Sequence, residues 1–480
     1  MIFRLEPYFF FKKENSKMPN KISKVFYGTL IHSLSLTNLE ILQNTLLGID
    51  SSGKIAFIEK NVLDENTLNN IISQWEFPQQ EVIRLSKRQF LLPGFIDTHT
   101  HAPQYPNAGT GMDLPLLDWL NKYTFPLERS YSSLSFAEKV YPMLVNNLLR
   151  SGTTTAVYFA TIHLETSKYL ARLVKEKGQR GFIGKVNMDC NSPEDYIETC
   201  DDSVELTEEF IKYVLNLEKE ENGSRLVHPI ITPRFAVSCS SQLMDSLGLL
   251  AKQYNMPIQS HLSENVAEIN FISELFPHLP DYTTVYDHHG LLNEKTIMAH
   301  GVHLSLKERK LIKERNIGIS HCPISNFAIC SGVCNVRQLL DEGIKVGLGT
   351  DLSGGYSKSI LNAIRNANIA SRVVFMSASK ANDESLNKSF PYLTLPELTY
   401  LATMGGAELV NLDKIIGNFL IGKEFDALLV DADAYQSPLD VFDDLDDIER
   451  IFEKFIFLGD ERNLKSVYVK GKKVSGTDLM

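Results

Sequence analysis

Short apolar runs rich in β-branched residues recur through the middle of the chain, and most are separated by stretches with the apolar spacing of amphipathic helices. The runs occupy residues 91–97, 155–160, 181–188, 230–235, 256–261, 296–300, 317–321 and 345–350. Because strands that alternate with helices form parallel sheets, the pattern predicts an α/β fold with a (β/α)8 barrel of the TIM type. An open doubly wound sheet is the alternative, but no GxGxxG motif follows the first run.

The two ends of the chain have a different pattern, in which short β-rich runs alternate with turn residues. Residues 24–34 are one strand candidate. Residues 45–60 contain two apolar runs on either side of residues 50–53 (DSSG), which is typical of a β-hairpin. Residues 425–431 and 466–474 are short strand candidates near the C-terminus. Two β-rich regions therefore flank the alternating middle of the chain.

These changes of pattern divide the chain into three parts. Residues 1–90 are expected to hold an N-terminal extension and β-structure, residues 91–415 the catalytic barrel, and residues 416–480 the β-structure of the C-terminal end. Residues 378–392 are polar and weakly periodic, which indicates an exposed insertion after the last barrel strand.

Composition narrows the class of protein. Of the 480 residues, 43% are hydrophobic and 22% are charged, as in ordinary globular domains. The formal net charge of -11, without a large basic cluster, argues against nucleic acid as a partner. No apolar run approaches the roughly 18 residues of a membrane span, and no secretory signal is evident. The six cysteines form no CxxC pair, which favours a reduced, cytoplasmic chain.

Histidine and aspartate residues stand at the ends of the predicted strands. The first strand ends in residues 97–101 (DTHTH), and later strands end in His261, His300, His321 and Asp351. In a barrel, the C-terminal ends of all strands meet on one face, where active sites form. Residues that are far apart in the sequence are therefore expected to converge there.

The expected convergence has the chemistry of a metal site. His99 and His101 alternate on an extended backbone, so both imidazoles project to the same side of the strand. His261 and Asp351 add a third nitrogen and a carboxylate, a set that suits zinc, with iron as the alternative. An open position would hold a water molecule whose pKa the metal lowers toward neutrality. A single buried histidine is more often a hydrogen-bonded core residue, but the joint pattern favours a metal.

Other polar residues near these strand ends are candidates for catalysis and substrate binding. Glu264 could accept and return a proton in a dry pocket, or it could be a solvated residue favoured by a helix dipole. Arg234 offers a fork of donors to two adjacent acceptors on a base edge, or it forms an ordinary ion pair. Phe235 is a packing or stacking surface. The amide of Gln104 reads a base edge or remains solvated.

Six segments resemble guanine deaminases of the amidohydrolase superfamily. They are LPGFIDTHTHAPQY at residues 92–105, PRF at 233–235, HLSEN at 261–265, AHG at 299–301, SHCPISN at 320–326 and GTD at 349–351. PGFIDTHTH and AHG are typical of the whole superfamily, whereas HAPQY and PRF narrow the resemblance to guanine deaminases. The resemblance extends from about residue 90 to the C-terminus, and the residues before about Lys21 match no family element.

The resemblance implies an activity, a cofactor and an assembly. The activity is hydrolytic deamination of guanine to xanthine and ammonia in purine catabolism or salvage. One zinc ion per subunit is expected, held by His99, His101, His261 and Asp351. The resemblance further implies a homodimer, and a small β-sandwich built jointly from the two chain ends.

The resemblance also assigns roles in the reaction. Glu264 and Asp351 are expected to move protons, and His300 to hydrogen-bond the attacking or developing oxygen. His321 is expected near the site in either a catalytic or a structural role.

Seven side chains are expected to contact guanine, namely His101, Gln104, Arg234, Phe235, His261, Glu264 and Asp351. A related amidohydrolase acting on another aminated or halogenated heterocycle is the alternative within enzymes. A non-catalytic interaction scaffold is the alternative of another class, and the presence of every expected ligand disfavours it.

Overall fold

The computed structural model describes residues 21–218, 224–380 and 392–476. The N-terminal extension before residue 21 and most of the expected insertion at 378–392 lie outside the described residues. The strands, in chain order, are β1 Ile22–Ser35, β2 Asn38–Asp50, β3 Ile55–Glu59, β4 Ile83–Arg84, β5 Gln89–Pro93, β6 Phe95–His101, β7 Thr153–Phe159, β8 Arg180–Gly184, β9 Val186–Asn187, β10 Val227–Pro229, β11 Thr232–Pro233, β12 Ile258–Leu262, β13 Thr296–His300, β14 Gly318–His321, β15 Lys345–Leu348, β16 Ala427–Asp431, β17 Leu464–Val469 and β18 Lys472–Ser475.

Helices connect most of these strands. The α-helices are α1 Glu65–Gln74, α2 Leu116–Trp119, α3 Phe125–Arg129, α4 Leu134–Arg150, α5 Leu164–Glu176, α6 Cys200–Leu217, α7 Ser241–Tyr254, α8 Val266–Leu275, α9 Tyr282–His288, α10 Leu306–Glu314, α11 Pro323–Ala328, α12 Val336–Asp341, α13 Ile360–Lys380, α14 Leu395–Tyr400, α15 Gly406–Leu409 and α16 Ile448–Leu458. Short 3-10 turns occur at Gln79–Glu81, Ala102–Asn107, Ser130–Ser132, Ala236–Ser238 and Glu461–Asn463, and π turns at Leu120–Thr124 and Leu401–Gly405. Within the described ranges, no helix combines the length and the apolar character that a bilayer crossing requires.

Two four-stranded parallel sheets form the middle of the chain, in the orders β10-β8-β7-β6 and β12-β13-β14-β15. Where the sheets approach each other, β9 pairs with β11, and a single bridge joins Ile231 to Ile258. On the other side, the backbone N–H of Asp351, just after β15, donates to the carbonyl of His99 in β6 at 2.9 Å. The mixed α/β fold expected from the alternating pattern is confirmed.

One expected strand is divided between two sheets. The apolar run at residues 91–97 is the end of β5 and the start of β6, with Gly94 between them. β5 pairs with β1 and β16, whereas β6 pairs with β7. A Cβ atom at Gly94 would lie 2.1 Å from Oγ1 of Thr154, so only glycine fits this crossing. The apolar pattern does not reveal the break because both halves are buried.

The other expected strands agree with the structure to different degrees. The run at residues 296–300 forms β13 residue for residue. The run at 181–188 is divided between β8 and β9, whereas the run at 230–235 contains only β11, since β10 ends at Pro229 just before it. The division follows a change of partner, because β8 and β10 pair within the four-stranded sheet while β9 and β11 pair only with each other.

The two chain ends combine in one eight-stranded sheet, with β4 beside β1 and the other strands in the order β18-β17-β16-β5-β1-β2-β3. The expected hairpin at residues 45–60 is confirmed, since β2 and β3 pair antiparallel. The ring of Phe26 packs on the rings of Phe425 and Tyr468, with centroids 5.4 and 5.6 Å apart. Aromatic contacts thus join the N-terminal strands to the C-terminal ones.

A buried ion-pair network joins the parallel sheets to the terminal sheet. The guanidinium of Arg180 in β8 is fully buried and lies 2.8 Å from Glu424 and 3.1 Å from Asp426. The backbone N–H of Lys470 also donates to Asp426, at 2.7 Å. Because an isolated buried charge is costly, these groups stabilise the junction only as a set.

Replacing Arg180 with methionine is expected to lower the free energy of unfolding by about 3–5 kcal/mol, because two buried carboxylates would lose their cation. Denaturant unfolding of the wild-type and variant proteins measures the change. Arg172→Met is the matched control, since the ion pair of Arg172 with Glu176 is exposed and 3.7 Å long. For the control we expect a change of about 0–1 kcal/mol. Equal losses in the two variants would contradict the anchoring role of Arg180.

Candidate metal centre and substrate pocket

Four histidines and one aspartate meet at the C-terminal ends of the parallel strands. His99 and His101 lie at the end of β6, His261 in β12 and His300 at the end of β13, and Asp351 follows β15. Each side chain belongs to a buried residue, with 9% or less of its surface exposed. Parallel strands that end on one side thus bring together residues from distant parts of the sequence.

The ring nitrogens and carboxylate oxygens of this cluster lie close to one another. Nε2 of His99 and Nε2 of His101 lie 3.2 and 3.3 Å from Oδ1 of Asp351. Nε2 of His101 and Nε2 of His261 are 3.1 Å apart. Ligands placed about 2.0–2.2 Å from a tetrahedral zinc ion lie roughly 3.3 Å from each other. The observed separations therefore match those of ligands around one small cation.

The hydrogen bonds of the rings leave nitrogen lone pairs available to such a cation. Nδ1 of His261 lies 2.6 Å from the carbonyl oxygen of Arg234, which assigns the proton to Nδ1 and leaves Nε2 bare. Nε2 of His99 and Nε2 of His300 are buried and make no hydrogen bond within the described residues. Buried polar atoms without partners are rare in folded proteins. The cluster therefore fits a divalent transition metal with nitrogen and oxygen ligands.

The cluster contains more donors than the four ligands expected from the sequence. One ligand atom from each of His99, His261, His300 and Asp351 lies within 4.8 Å of all the others. His300 is thus close enough to count as a ligand, although its expected role is catalytic. Its Nε2 lies 3.7 Å from Oδ2 of Asp351, whereas His101 approaches that carboxylate to 3.3 Å. Either His101 or His300 can therefore complete a set of four donors with His99, His261 and Asp351.

The backbone around the cluster adopts a conformation that is unfavourable for residues with side chains. Ser263, His300 and Asp351 have φ angles of 49°, 73° and 45°. Close packing accompanies this conformation, because a Cβ atom at Gly349 would lie 2.9 Å from Cβ of His99. The hydrogen bond from the N–H of Asp351 to the carbonyl of His99 holds together the two segments that contain these residues. The orientation of these side chains is therefore determined by the surrounding fold.

Glu264 is buried beside the cluster. Its Oε1 accepts a hydrogen bond from Oγ of Ser331 at 3.1 Å, and its Oε2 lies 3.5 Å from Nε2 of His300. Burial is the main reason that the pKa of Glu264 is raised to about 7, with His300 opposing the rise and Asp351 adding to it. A carboxyl group with a pKa near neutrality can both take up and release a proton.

Asp351 and His300, which lie next to Glu264, both favour their charged forms. Burial favours a higher pKa for Asp351, but the adjacent ring of His99, with smaller effects of His300 and His101, outweighs burial and holds that pKa well below its usual value. Burial favours a lower pKa for His300, but the carboxylates of Glu264 and Asp351 raise it above the usual value. Asp351 is therefore the stable anion of the cluster, and Glu264 is the carboxyl group suited to proton exchange.

A pocket opens beside the cluster. Every side chain expected to contact the substrate lines it, namely His101, Gln104, Arg234, Phe235, His261, Glu264 and Asp351. Trp119 and Ile329 add apolar walls that the sequence pattern does not indicate. Apolar walls with a few polar groups suit a flat heterocycle.

Glu128 is a buried residue behind the pocket that the sequence pattern does not indicate. Its carboxylate accepts hydrogen bonds from the side chains of Gln104, Tyr196 and Arg234. A buried arginine needs an anion nearby, so the prediction that Arg234 lies in the site implies an acidic partner for it. The signal does not identify which acidic residue supplies the charge, because Glu128 and Arg234 are 106 positions apart.

His321 has no polar contact that would support a catalytic role. It is buried, and neither ring nitrogen makes a hydrogen bond within the described part of the chain. Burial, with a smaller effect of His300, lowers the pKa of His321 to about 3. A neutral ring of this kind favours a packing role.

Comparison with known proteins identifies the family. Residues 90–474 match the amidohydrolase family. The guanine deaminase of Dictyostelium discoideum is 50% identical over 459 residues, which cover 95% of this chain and 99% of that protein. The chain belongs to the guanine deaminases of the amidohydrolase family. Another guanine deaminase, from Homo sapiens, is 46% identical over 464 residues, covering 96% of this chain and 98% of that protein.

A solved structure of the same family has the same fold. The crystal structure of guanine deaminase from C. acetobutylicum, with bound guanine in the active site, matches with a TM-score of 0.82. The two sequences are 37% identical, and the match covers 94% of this chain and 100% of that chain. The fold of this chain thus agrees with the family that its sequence indicates.

Proposed function

We infer that this chain catalyses the hydrolytic deamination of guanine to xanthine and ammonia. The observation that carries the inference is that Gln104, Arg234 and Phe235 line the same pocket as the donor cluster and Glu264. Relatives named guanine deaminase align with this chain over nearly the full length of both proteins. One similar solved structure of a guanine deaminase has guanine bound in its active site.

We propose that His99, His101, His261 and Asp351 hold a zinc ion, with iron as the alternative for the same ligand types. The short distances from His101 to His261 and Asp351 support this set over the one that contains His300. When bound, the ion supplies a Lewis acid that lowers the pKa of a water molecule toward neutrality. His300 then remains available for hydrogen bonding to the reacting oxygen.

Three side chains in the pocket account for recognition of guanine. The guanidinium of Arg234 offers parallel donors that match the adjacent O6 and N7 acceptors of the base. The amide of Gln104 offers one donor and one acceptor to the edge of the ring system. The ring of Phe235 provides an apolar face against which a flat base can pack.

Proton transfer in the proposed reaction depends on Glu264, Asp351 and His300. Glu264 takes a proton from the attacking water and delivers it to N3, the unprotonated ring nitrogen beside C2, which is the carbon that bears the amine. Nε2 of His300 donates to the oxygen as its negative charge develops, a preorganised electrostatic role. The second proton of the water passes from the new hydroxyl on C2 through the carboxylate of Asp351 to the amine, the C2–N bond breaks, and ammonia and xanthine are released.

We propose that the two parallel sheets close into one (β/α)8 barrel within residues 91–415. Residues 1–90 then contain the N-terminal extension and one part of a small β-sandwich, and residues 416–480 contain the other part. The bridge between Ile231 and Ile258 and the contact between Asp351 and His99 support closure. Packing of Phe26 against C-terminal aromatic rings supports a sandwich. A homodimer in the cytoplasm, acting in purine catabolism or salvage, is proposed from the family resemblance.

Purified protein with its native metal is expected to consume guanine and release ammonia, while adenine, cytosine and an s-triazine remain nearly unchanged. Removal of the metal with a chelator should abolish turnover, and added zinc should restore it. Absorbance of the base and an ammonia assay measure the reaction. Failure of the metal-loaded protein to consume guanine would refute the substrate, and turnover of the triazine instead would favour the alternative heterocycle.

Replacing Glu264 with glutamine should lower kcat for guanine at least about 100-fold, since an amide cannot exchange the proton. The bound metal content should be unchanged, because Glu264 is outside the proposed ligand set. Glu274→Gln is the matched control, since Glu274 is exposed on α8, the helix that follows Glu264, and its kcat should equal that of the wild-type protein. Activity of Glu264→Gln within about tenfold of the wild type would refute the proton-transfer role.

Two histidine variants distinguish the overlapping donor sets. His101→Ala should weaken metal binding at least about tenfold, because a direct ligand is lost. His300→Ala should retain the metal and lose activity. His278→Ala is the control, since His278 is exposed. Metal content after dialysis against a graded series of chelator concentrations measures the difference, and the reverse result would place His300 among the ligands.

A further inference from the structure

Glu128, at the end of the short helix α3, has no exposed side-chain surface. A buried carboxylate is tolerated only where several donors satisfy it. Three do so here. Nη1 of Arg234 donates to Oε2 at 2.5 Å, the hydroxyl of Tyr196 donates to Oε2 at 2.9 Å, and Nε2 of Gln104 donates to Oε1 at 2.9 Å. Two of the three donors, Arg234 and Gln104, also line the substrate pocket.

The hydrogen bond from Glu128 determines how the amide of Gln104 is oriented. A carboxylate can only accept, so the atom of Gln104 that faces it must be the nitrogen. On the other side, the backbone N–H of Ser353 donates to Oε1 of Gln104 at 3.2 Å. Both contacts select the same orientation. One N–H and one oxygen lone pair of Gln104 then remain for a ligand, in positions that the side chain cannot exchange.

The same carboxylate holds the guanidinium of Arg234. One nitrogen of Arg234 is paired with Glu128, and Cζ lies 5.2 Å from the centroid of the Phe125 ring. The remaining donors of the planar group are therefore held in one plane at the pocket wall. Because the ion pair has no net charge, the pocket offers oriented donors to an uncharged carbonyl oxygen rather than a site for a phosphate or carboxylate.

We propose that Glu128 is a positioning residue for specificity: it orients Gln104 and Arg234 together, and so makes the pocket select purines that carry a 6-oxo group. The proposal rests on the proposed function, since it assumes that Arg234 binds the O6 and N7 edge of guanine. Glu128 acts through the two side chains that contact the base, so substrate binding depends on it more than the chemical step does.

The test compares Glu128→Gln with the wild-type protein on two bases. Guanine is the substrate, and 2-aminopurine, which keeps the 2-amino group but lacks the 6-oxo group, is added as a competing ligand. We expect KM for guanine to rise at least about tenfold, the effect of losing a hydrogen bond to a charged group. We expect kcat to stay within about threefold of the wild-type value, and the inhibition constant of 2-aminopurine, which retains N7 but not O6, to rise by a smaller factor than KM for guanine. The exposed Glu138→Gln is the matched control and should change none of them.

A uniform structural defect would change these quantities together. If KM for guanine and the inhibition constant of 2-aminopurine rise by the same factor, or if neither changes, the proposal is wrong. The proposed function fails separately, if the wild-type protein does not consume guanine at all. Metal content and the thermal unfolding midpoint of each variant show whether the fold is retained.

A double variant keeps the test decisive if Glu128→Gln does not fold. Glu128→Gln combined with Arg234→Gln removes both charges, so no uncompensated ion is left buried. If Glu128 acts through Arg234 and Gln104, the double variant should have a KM for guanine less than about tenfold above that of Arg234→Gln alone, because only the contribution through Gln104 then remains. A further rise of about tenfold in the double variant would show that the two residues act independently and would overturn the proposal.

Discussion

Buried ionisable side chains at the C-terminal ends of the parallel strands constrain the rest of the structure. Imidazoles and carboxylates removed from water need partners, and a shared cation together with mutual hydrogen bonds can supply them. Strands β6, β12, β13 and the end of β15 provide these groups from one side of the sheets. The left-handed backbone at His300 and Asp351 is retained only because the surrounding strands and hydrogen bonds hold it. The site therefore requires that the surrounding strands hold these residues rigidly in place.

Arg234 connects the donor cluster to the substrate pocket. Its carbonyl oxygen lies 2.6 Å from Nδ1 of His261, and its guanidinium lies 2.5 Å from Glu128. The residue that orients a proposed metal ligand is thus also the one proposed to bind the base. This coupling fixes the position of the Arg234 guanidinium relative to the donor cluster, and catalysis by orientation is sensitive to such displacements.

The terminal sheet contributes to the same frame. β5 leads directly into β6 through Gly94, so the strand that carries His99 and His101 begins at the junction between the two sheet systems. The buried pairing of Arg180 with Glu424 and Asp426 holds the C-terminal segment against that junction. Both chain ends therefore help to position a site whose residues all come from the middle of the chain.

The sequence by itself determined the alternating α/β pattern, the hairpin near residue 50, the family and the types of residue at the strand ends. These features are local, since each depends on spacing or on a short motif such as residues 97–101. Only the tertiary structure decided that the run at 91–97 divides at Gly94, that His300 lies as near the donor cluster as a ligand, and that Glu128 is the anion behind Arg234. These three features depend on packing between segments that are up to hundreds of positions apart in the sequence. No local sequence pattern indicates which distant residue will contact a given buried side chain.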